Sequence, residues 1–323
     1  MRKRILLAAI AAIMGTAVAM AQQIAVVSEN GTTDVYQTLQ EAIEGASNGS
    51  VIYLPGGGFQ IHDSVKITKR LSIIGIGHKA KNENVDGNTI ISGNLWFNAG
   101  ASGGSVMGCY ISGNVNIGED DTVNNITVKL CNLNAVNVKN RICTGTIVNQ
   151  NYIRDICNFS NSEVTIKNNI CKVLNSINGG TISNNILTSQ STSAGHFTYG
   201  VLISVNNSTV TDNIFLPTAY SNGGQLTTYG NMCKTEWGDG CVIIGNVNWA
   251  DVFVNYNNGA ITPASDFHFK PDYQQYSDCG IYGGDGFSDG ALPPVPFIVS
   301  KSIPEQTDAS GKLNIKIRVK AGE

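Results

Sequence analysis

The sequence is poor in charged residues. Only 14% of its 323 residues are Asp, Glu, Lys or Arg, against about 25% in an average soluble protein. The formal net charge is −3, and the basic residues form no cluster. Nucleic acid is therefore not predicted as a partner, nor is an anionic membrane surface, because both are bound mainly through grouped Lys and Arg.

Long apolar runs are missing after the N-terminus. Residues 5–18 form the one apolar run of that kind; three basic residues precede it, and the small-residue site Ala19-Met20-Ala21 follows it. This order predicts a signal peptide over residues 1–21 and export to the periplasm, the cell surface or the medium. An N-terminal membrane anchor is the alternative. No membrane span is predicted in the mature chain.

One short pattern recurs from Val106 to Ile244: an aliphatic residue, a variable residue, a polar pair rich in Asn, and another aliphatic or aromatic residue. It reads VNQNY from 148, IKNNI from 166, ISNNI from 182 and VTDNI from 210, with weaker copies from 106, 128 and 243. A fixed pattern with elastic spacing indicates a solenoid whose coils share a core column and differ in loop length. We expect the polar pair at the corner, where Asn tolerates positive φ and can stack in an amide ladder.

The ends of the chain differ from the repeats. Apolar residues at helical spacing predict a helix over about residues 34–46, and residues 22–62 are assigned to an N-terminal cap with the first strand. Parallel coils are predicted over residues 63–264. Residues 265–323 are predicted as a Gly-rich closing segment, a Pro-rich stretch and a terminal hairpin pairing residues 297–303 with 313–319. The fold class is all-β, a parallel β-helix.

Eight cysteines occur, and none has C-x-x-C spacing. No metal site and no cofactor are therefore predicted. Cys109 and Cys131 occupy the repeat position that Asn holds in other coils, so we expect small buried thiols there. Cys233 and Cys241 are the pair that a disulfide would most readily join.

Two segments carry a resemblance to a known family. YQTLQEAI at 36–43, followed by GSVIYLPG at 49–56 and Phe59, resembles the entry of right-handed parallel β-helix proteins of the pectin-lyase-like superfamily. The Asn-rich coils look like the same superfamily, and DFHF at 266–269 with GIYGG at 280–284 is similar to exported β-helix proteins of Bacteroidetes-type bacteria. The resemblance implies a right-handed helix with a capping helix. It does not imply one activity, because the superfamily holds lyases, hydrolases, adhesins and structural helices.

The catalytic motifs of such enzymes are incomplete here. Polygalacturonase-like members carry paired Asp residues with a His-Gly motif, and no His in this sequence is followed by Gly. We therefore predict no catalytic residue. Under the alternative of a polysaccharide lyase or glycoside hydrolase for acidic or plant-type polysaccharides, the carboxylates would come from Glu119, Asp121, Glu236, Asp239 and Asp251, with calcium as a possible cofactor.

Insertions in the later coils offer a candidate binding surface. They lie at about residues 188–200, 216–225 and 234–240, and loops that leave one side of a solenoid form a wall. Aromatic rings beside carboxylates and amides suit sugars, through stacking and hydroxyl hydrogen bonds. The predicted ligand-binding residues are His196, Tyr199, Tyr220, Glu236, Trp237, Asp239 and Trp249.

Three functions follow from these observations. The first is an exported, non-catalytic β-helix protein that binds a glycan or acts as a surface adhesin. The second is the polysaccharide lyase or hydrolase described above. The third is a structural spacer whose C-terminal hairpin assembles with another surface protein.

Overall fold

A computed structural model gives the fold as a parallel β-solenoid, which confirms the predicted all-β class. The structure describes residues 23–78, 87–139, 143–159, 163–188, 202–217, 224–256, 261–262, 265–289, 291–294, 296–302, 306, 310–312 and 315–320. The chain alternates between two large sheets, so that each coil adds one strand to each.

The first sheet has 11 described strands. In spatial order they are β2 (Thr33–Tyr36), β1 (Ile24–Val27), β3 (Val51–Tyr53), β5 (Ser72–Ile74), β8 (Ser105–Met107), β10 (Thr127–Lys129), β12 (Thr146–Asn149), β14 (Val164–Lys167), β16 (Thr181–Ser183), β19 (Ser208–Thr211) and β21 (Leu226–Tyr229). Pairing is parallel from β3 onward, whereas β1 pairs antiparallel with both β2 and β3. The solenoid ladder of this sheet therefore begins at β3.

The second sheet has 12 described strands. Ten follow one another as β4 (Gly57–Gln60), β6 (Thr89–Ser92), β9 (Tyr110–Ile117), β11 (Asn132–Val138), β13 (Tyr152–Phe159), β15 (Ile170–Asn178), β17 (Ile186–Leu187), β20 (Ile214–Phe215), β22 (Met232–Cys233) and β23 (Val242–Ile243). The other two, β7 (Leu95–Phe97) and β18 (Leu202–Asn206), pair with the second halves of β9 and β15. Register shifts divide these long strands in two, so the sheet bends and the coil gains a third face.

Aliphatic side chains from successive coils form the inner column of the first sheet. The column consists of Ile52, Ile73, Val106, Val128, Val148, Ile166, Ile182 and Val210, each with no exposed surface. The pairing register places each one directly against the next. Burying a Val or Ile side chain stabilises a fold by about 1.5–3 kcal/mol. The predicted core column is confirmed.

The predicted amide ladder is also present. It contains Asn151, Asn169, Asn185, Asn213 and Asn231, all with no exposed surface. The Nδ2 of each of the first four members donates to the Oδ1 of the next member at 2.9–3.0 Å, and the same Oδ1 accepts the backbone N–H of the preceding member at 2.9–3.1 Å. Every Nδ2 also reaches a column carbonyl of the preceding coil. The buried amides thus satisfy one another.

Thiols replace the amides in two earlier coils. Cys131 and Cys109 are free and fully buried. The Cys131 Sγ lies 3.8 Å from the Val106 carbonyl oxygen, where a ladder amide would donate. Burial raises the pKa of the Cys131 thiol to about 12. The prediction of small buried thiols is confirmed. Cys233 and Cys241, by contrast, are free thiols in this structure rather than a bonded pair.

The residue before each ladder position turns the corner with positive φ. The angle is 54° at Leu130, 56° at Gln150, 52° at Asn168, 56° at Asn184 and 55° at Asp212. Asn and Asp tolerate this conformation better than other residues with a side chain, which explains the polar pair in the repeat.

The N-terminal helix is shorter than predicted. It is α1 (Leu39–Gly45), and its start is fixed by a capping box in which Thr38 Oγ1 accepts from the Glu41 N–H while the Glu41 carboxylate accepts from the Thr38 N–H. The boundary near residue 34 is wrong because β2 pairs with β1 there. Leu39, Ala42 and Ile43 are buried in the core, as their helical spacing predicts.

The sequence pattern missed one coil, and one predicted copy of the pattern is wrong. Thr228 pairs with Val210, and Asn231 continues the ladder, so a coil exists where Thr replaces the aliphatic residue. The copy predicted from Ile243 is wrong. Ile243 pairs with Cys233 in the second sheet, and its side chain is 54% exposed.

After the last coil the chain forms α2 (Trp249–Val252), β24 (Phe253–Asn255), β25 (Asp266–Phe269) and a 3-10 helix (Pro271–Tyr276). β24 and β25 pair antiparallel. The predicted terminal hairpin is confirmed as β26 (Phe297–Ser302) paired antiparallel with β27 (Lys316–Lys320).

Candidate functional site

The two tryptophans of the predicted loop wall differ in burial. Trp249 is 3% exposed; its Nε1 donates to the Leu216 carbonyl at 2.7 Å and its ring stacks on Phe253. It therefore presents no free face to a ligand. Trp237 is partly buried, with its ring 4.9 Å from that of Phe215. Three other predicted wall residues, His196, Tyr199 and Tyr220, lie outside the described residues.

The five alternative catalytic carboxylates are exposed side chains on three separate segments. Glu119 forms an ion pair with Lys66, whose Nζ lies 4.0 Å from the centroid of the Trp96 ring, and Asp121 accepts the Thr122 N–H at 2.7 Å. Glu236 and Asp239 lie on the loop after β22, and Asp251 lies in α2. In the described part of the chain, no three His, Cys, Asp or Glu side chains are grouped to hold a metal ion.

The outer face of the second sheet changes character along the solenoid axis. One outward column runs through Tyr110, Asn132, Tyr152, Ile170, Ile186, Ile214 and Met232 in direct register. Its aliphatic part, from Ile170 onward, is buried against the C-terminal residues, including Phe253 and Phe267. Its polar and aromatic part is only partly covered, and there a cleft opens.

A strap forms one wall of this cleft; we define it as residues 278–289. The corner side chains of three successive coils hold it through its backbone. Gln150 Nε2 donates to the Gly286 carbonyl at 2.8 Å, Asn184 Nδ2 to that of Asp278 at 2.7 Å, and Asn168 Nδ2 to those of Ile281 and Gly283 at 2.9 and 2.7 Å. The Gly280 N–H donates to the Asp212 carbonyl at 2.7 Å. The strap therefore follows the corner along the solenoid axis.

The cleft has a volume of about 320 Å³. Tyr110, Asn132 and Tyr152 form the sheet wall, and Tyr282, Phe287 and Asp289 belong to the strap wall. Tyr110 and Tyr152 are two coils apart, or about 10 Å along the axis. His78 and Asn88 lie at one end, and Ile261, Thr262, Ser265 and Phe267 complete the lining with Ile170 and Ile281. Rings with a few convergent polar groups are typical of small-molecule and sugar sites.

Hydrogen bonds and ring contacts fix the strap wall. The Tyr282 hydroxyl donates to Asp289 Oδ1 at 2.5 Å, and the Tyr282 ring stacks on that of His268 with centroids 3.7 Å apart. His268 Nδ1 lies 2.7 Å from Asp266 Oδ1. Burial, followed by the hydrogen bond to Asp289, raises the pKa of the Tyr282 hydroxyl well above its ordinary value. Tyr282 is therefore a neutral hydrogen-bonding group at neutral pH.

The opposite wall is held in a similar way. The Tyr152 hydroxyl donates to the Ile261 carbonyl at 3.2 Å, and burial raises its pKa, with a smaller contribution from Tyr256. Tyr110 also lines the cleft and is 36% exposed.

Sequence reasoning missed the cleft residues, although the repeat contained a signal. The pattern ends in Ile in three of its four strong copies and in Tyr at 152, and one weak copy ends in Tyr110. These residues occupy the outward column. An aromatic residue there marks the coils at which the aliphatic part of the column, buried by the C-terminal residues, ends. The strap residues gave no comparable signal, because only the tertiary path brings them to this column.

The fold and the cleft together define a parallel β-solenoid with an aromatic groove beside one corner. Comparisons with protein-family models, with curated proteins and with solved structures found no match to this chain. None of the helices in the described ranges has the length and apolar character that crossing a membrane requires.

Proposed function

We propose that this protein is an exported, non-catalytic glycan-binding β-helix and that its cleft is the glycan site. Aromatic rings on two walls, with amides and a carboxylate between them, match the two needs of a saccharide. Its apolar ring faces stack on aromatic rings, and its hydroxyls require hydrogen-bond partners. The sequence resemblance supports a right-handed helix of the pectin-lyase-like type, and the leader supports export.

The cleft carries this proposal better than the predicted loop wall does. The wall loses one of its two tryptophans to the core, because Trp249 is buried. The cleft instead holds Tyr110, Tyr152 and Tyr282 around one volume. Corner amides attach the strap wall to the solenoid, so the rings are held in place before a ligand binds. This lowers the entropic cost of binding.

A glycan-array screen of residues 22–323, with and without calcium, tests the proposal. Each bound glycan is then incubated with the protein, and the products are examined for shortened or unsaturated chains. Binding without cleavage that is retained in Trp237→Ala supports the cleft. Cleavage would establish the lyase or hydrolase alternative, and binding lost in Trp237→Ala would place the site on the loop wall.

One observation favours assembly as a second function. Ile315, Ile317 and Val319 of the terminal hairpin region alternate along the chain, and each is more than half exposed. Alternating residues share one face of a strand, and an isolated two-stranded hairpin is marginally stable in water. We propose that this face contacts another surface protein. Sedimentation velocity tests this idea on mixtures of the protein with candidate surface proteins. We expect a mixed species with the wild type and its loss in Ile317→Lys.

A further inference from the structure

The strap carries acidic side chains and no basic ones. Residues 278–289 contain three aspartates and no Lys or Arg. The sheet wall contributes Tyr110, Asn132 and Tyr152, none of which is an acidic or basic residue. Among the described lining residues, Asp289 is the one carboxylate, and no Lys or Arg occurs. The described cleft therefore presents a negative charge and offers no cation to balance an acidic ligand.

Two described lysines of this region, Lys167 and Lys270, make contacts outside the cleft. Lys167 forms an ion pair with Asp285 on the corner, and this pairing lowers the pKa of the Asp285 carboxyl. Lys270 Nζ donates to the Ala250 carbonyl at 2.6 Å. Neither lysine lines the cleft.

Asp289 is positioned to accept hydrogen bonds from a ligand. Its Oδ1 accepts the Tyr282 hydroxyl at 2.5 Å, which orients the carboxylate within the lining. A carboxylate accepts through two oxygens, so acceptor capacity remains for sugar hydroxyls. A ligand carboxylate within hydrogen-bonding distance of Asp289 would meet like-charge repulsion. This repulsion is stronger where the cleft walls exclude water.

We infer that the cleft selects uncharged saccharides and that Asp289 is the residue that rejects uronic acids. This inference rests on the proposed function of the same cleft, and it goes further by naming the substrate class. It also departs from what the sequence resemblance suggests, since an acidic polysaccharide would need a cation where the cleft holds Asp289.

Matched oligosaccharide pairs test the inference. Neutral glucan, galactan and mannan oligosaccharides are titrated against the same oligosaccharides oxidised at C6 to uronic acids, at low ionic strength, where charge effects are least screened. We expect about tenfold weaker binding of the oxidised form, a difference that should narrow in 0.5 M salt. Asp289→Asn keeps an oxygen acceptor for Tyr282 and should remove most of that difference by raising the affinity for the oxidised form.

Asp272→Asn is the matched control. It removes the same charge from an exposed residue of the neighbouring 3-10 helix, outside the cleft lining, and should leave the preference for the neutral form unchanged. Oxidised oligosaccharides that bind as well as neutral ones, with both losing affinity in Tyr110→Ala, would overturn the inference and leave the proposed function standing. If neither form of any oligosaccharide binds, the proposed function fails, and the inference fails with it.

Discussion

Two neighbouring residues in each middle coil are both polar, yet one forms hydrogen bonds inside the solenoid and the other outside it. The inner residue, such as Asn169, points into the solenoid, where its amide bonds to the next coil and to buried backbone. The outer residue, such as Asn168, turns the corner with positive φ and donates to the strap. The inner amides stabilise the repeat itself. The outer amides attach to the repeat a segment that does not repeat, and this attachment builds the cleft.

The difference shows how a monotonous repeat acquires a specific site. The inner ladder repeats Asn in five successive coils, because each amide is both donor and acceptor for its neighbours, and only Cys131 and Cys109 take its place in the two described coils before them. The outer row needs only a residue that tolerates positive φ and can bond to the strap. It varies among Gln150 and Asn184, whose side-chain amides donate, and Asp212, whose backbone carbonyl accepts from Gly280. Variation in the outer row is therefore compatible with the fold and can adapt to the path of the strap.

The largest expected effect comes from breaking the inner ladder. Asn185→Ala removes the donors to Ile166, Ser183 and Asn213 and leaves the buried N–H of Asn169 without its acceptor. We expect a loss of about 3 kcal/mol in the free energy of unfolding, measured in urea. Asn134→Ala, which removes one bond to the Ser112 carbonyl, should cost less than about 1 kcal/mol. Equal losses in the two variants would contradict the ladder account.

Breaking the outer row should lower the stability less than breaking the inner ladder does, but it should also weaken glycan binding. Asn168→Ala removes both bonds to the strap and places Ala at φ 52°, for a loss of about 2 kcal/mol. Asn168→Gly removes the same bonds without the backbone strain, and we expect about 1 kcal/mol. Both variants should weaken glycan binding, measured by calorimetry, because the strap wall loosens. Unchanged affinity in both would show that the strap does not depend on this row.

Extending the inner ladder should produce a small gain. Cys131→Asn supplies an amide that can donate to the Asn151 Oδ1 and reach the Val106 carbonyl, which the thiol approaches at 3.8 Å. We expect stabilisation of about 1 kcal/mol in the same urea titration. A loss of more than about 1 kcal/mol would mean that the coil lacks room for the larger side chain.

The smallest effect concerns the one acidic member of the outer row. Burial raises the pKa of the Asp212 carboxyl, the Thr211 hydrogen bond opposes this, and Asp278 adds repulsion. The raised pKa means that the ionised carboxyl destabilises the folded state. This destabilisation is fully present at pH values above the folded pKa. Because the carboxyl is partly exposed and solvent screens it, Asp212→Asn should stabilise by at most about 0.5 kcal/mol at pH 7. Thermal unfolding at several pH values should show the gain fading as pH falls through the folded pKa; a gain that grows at low pH would contradict the sign.

Much of the fold could be predicted because each coil repeats the same physical requirements. The aliphatic residue, the positive-φ corner and the ladder amide all leave marks at fixed spacing, as in residues 166–170. The coil at Thr228 was missed because a Thr holds the aliphatic position, although Asn231 keeps its place in the ladder. The helix boundary was misplaced because pairing of β2 with β1 outweighs a helical pattern that includes Val35.

The cleft could not be predicted from local pattern. It depends on contacts such as that of the Tyr152 hydroxyl with the Ile261 carbonyl, 109 residues apart in sequence. Local sequence places Tyr152 on an outward face, but the path of the strap decides what faces it. Trp249 illustrates the reverse error. Its position beside loops suggested exposure, whereas the hydrogen bond to Leu216 and the stack on Phe253 bury it.

Calorimetric titration of one array-positive oligosaccharide into wild type, Tyr110→Ala and Tyr229→Ala tests the central claim most directly. Tyr110 lines the cleft, whereas Tyr229 is 69% exposed on the first sheet. The cleft account predicts a loss of at least about tenfold in affinity for Tyr110→Ala, as expected for a central aromatic contact, and no change for Tyr229→Ala. Wild-type affinity in Tyr110→Ala, with its thermal stability intact, would contradict the claim that the cleft is the glycan site.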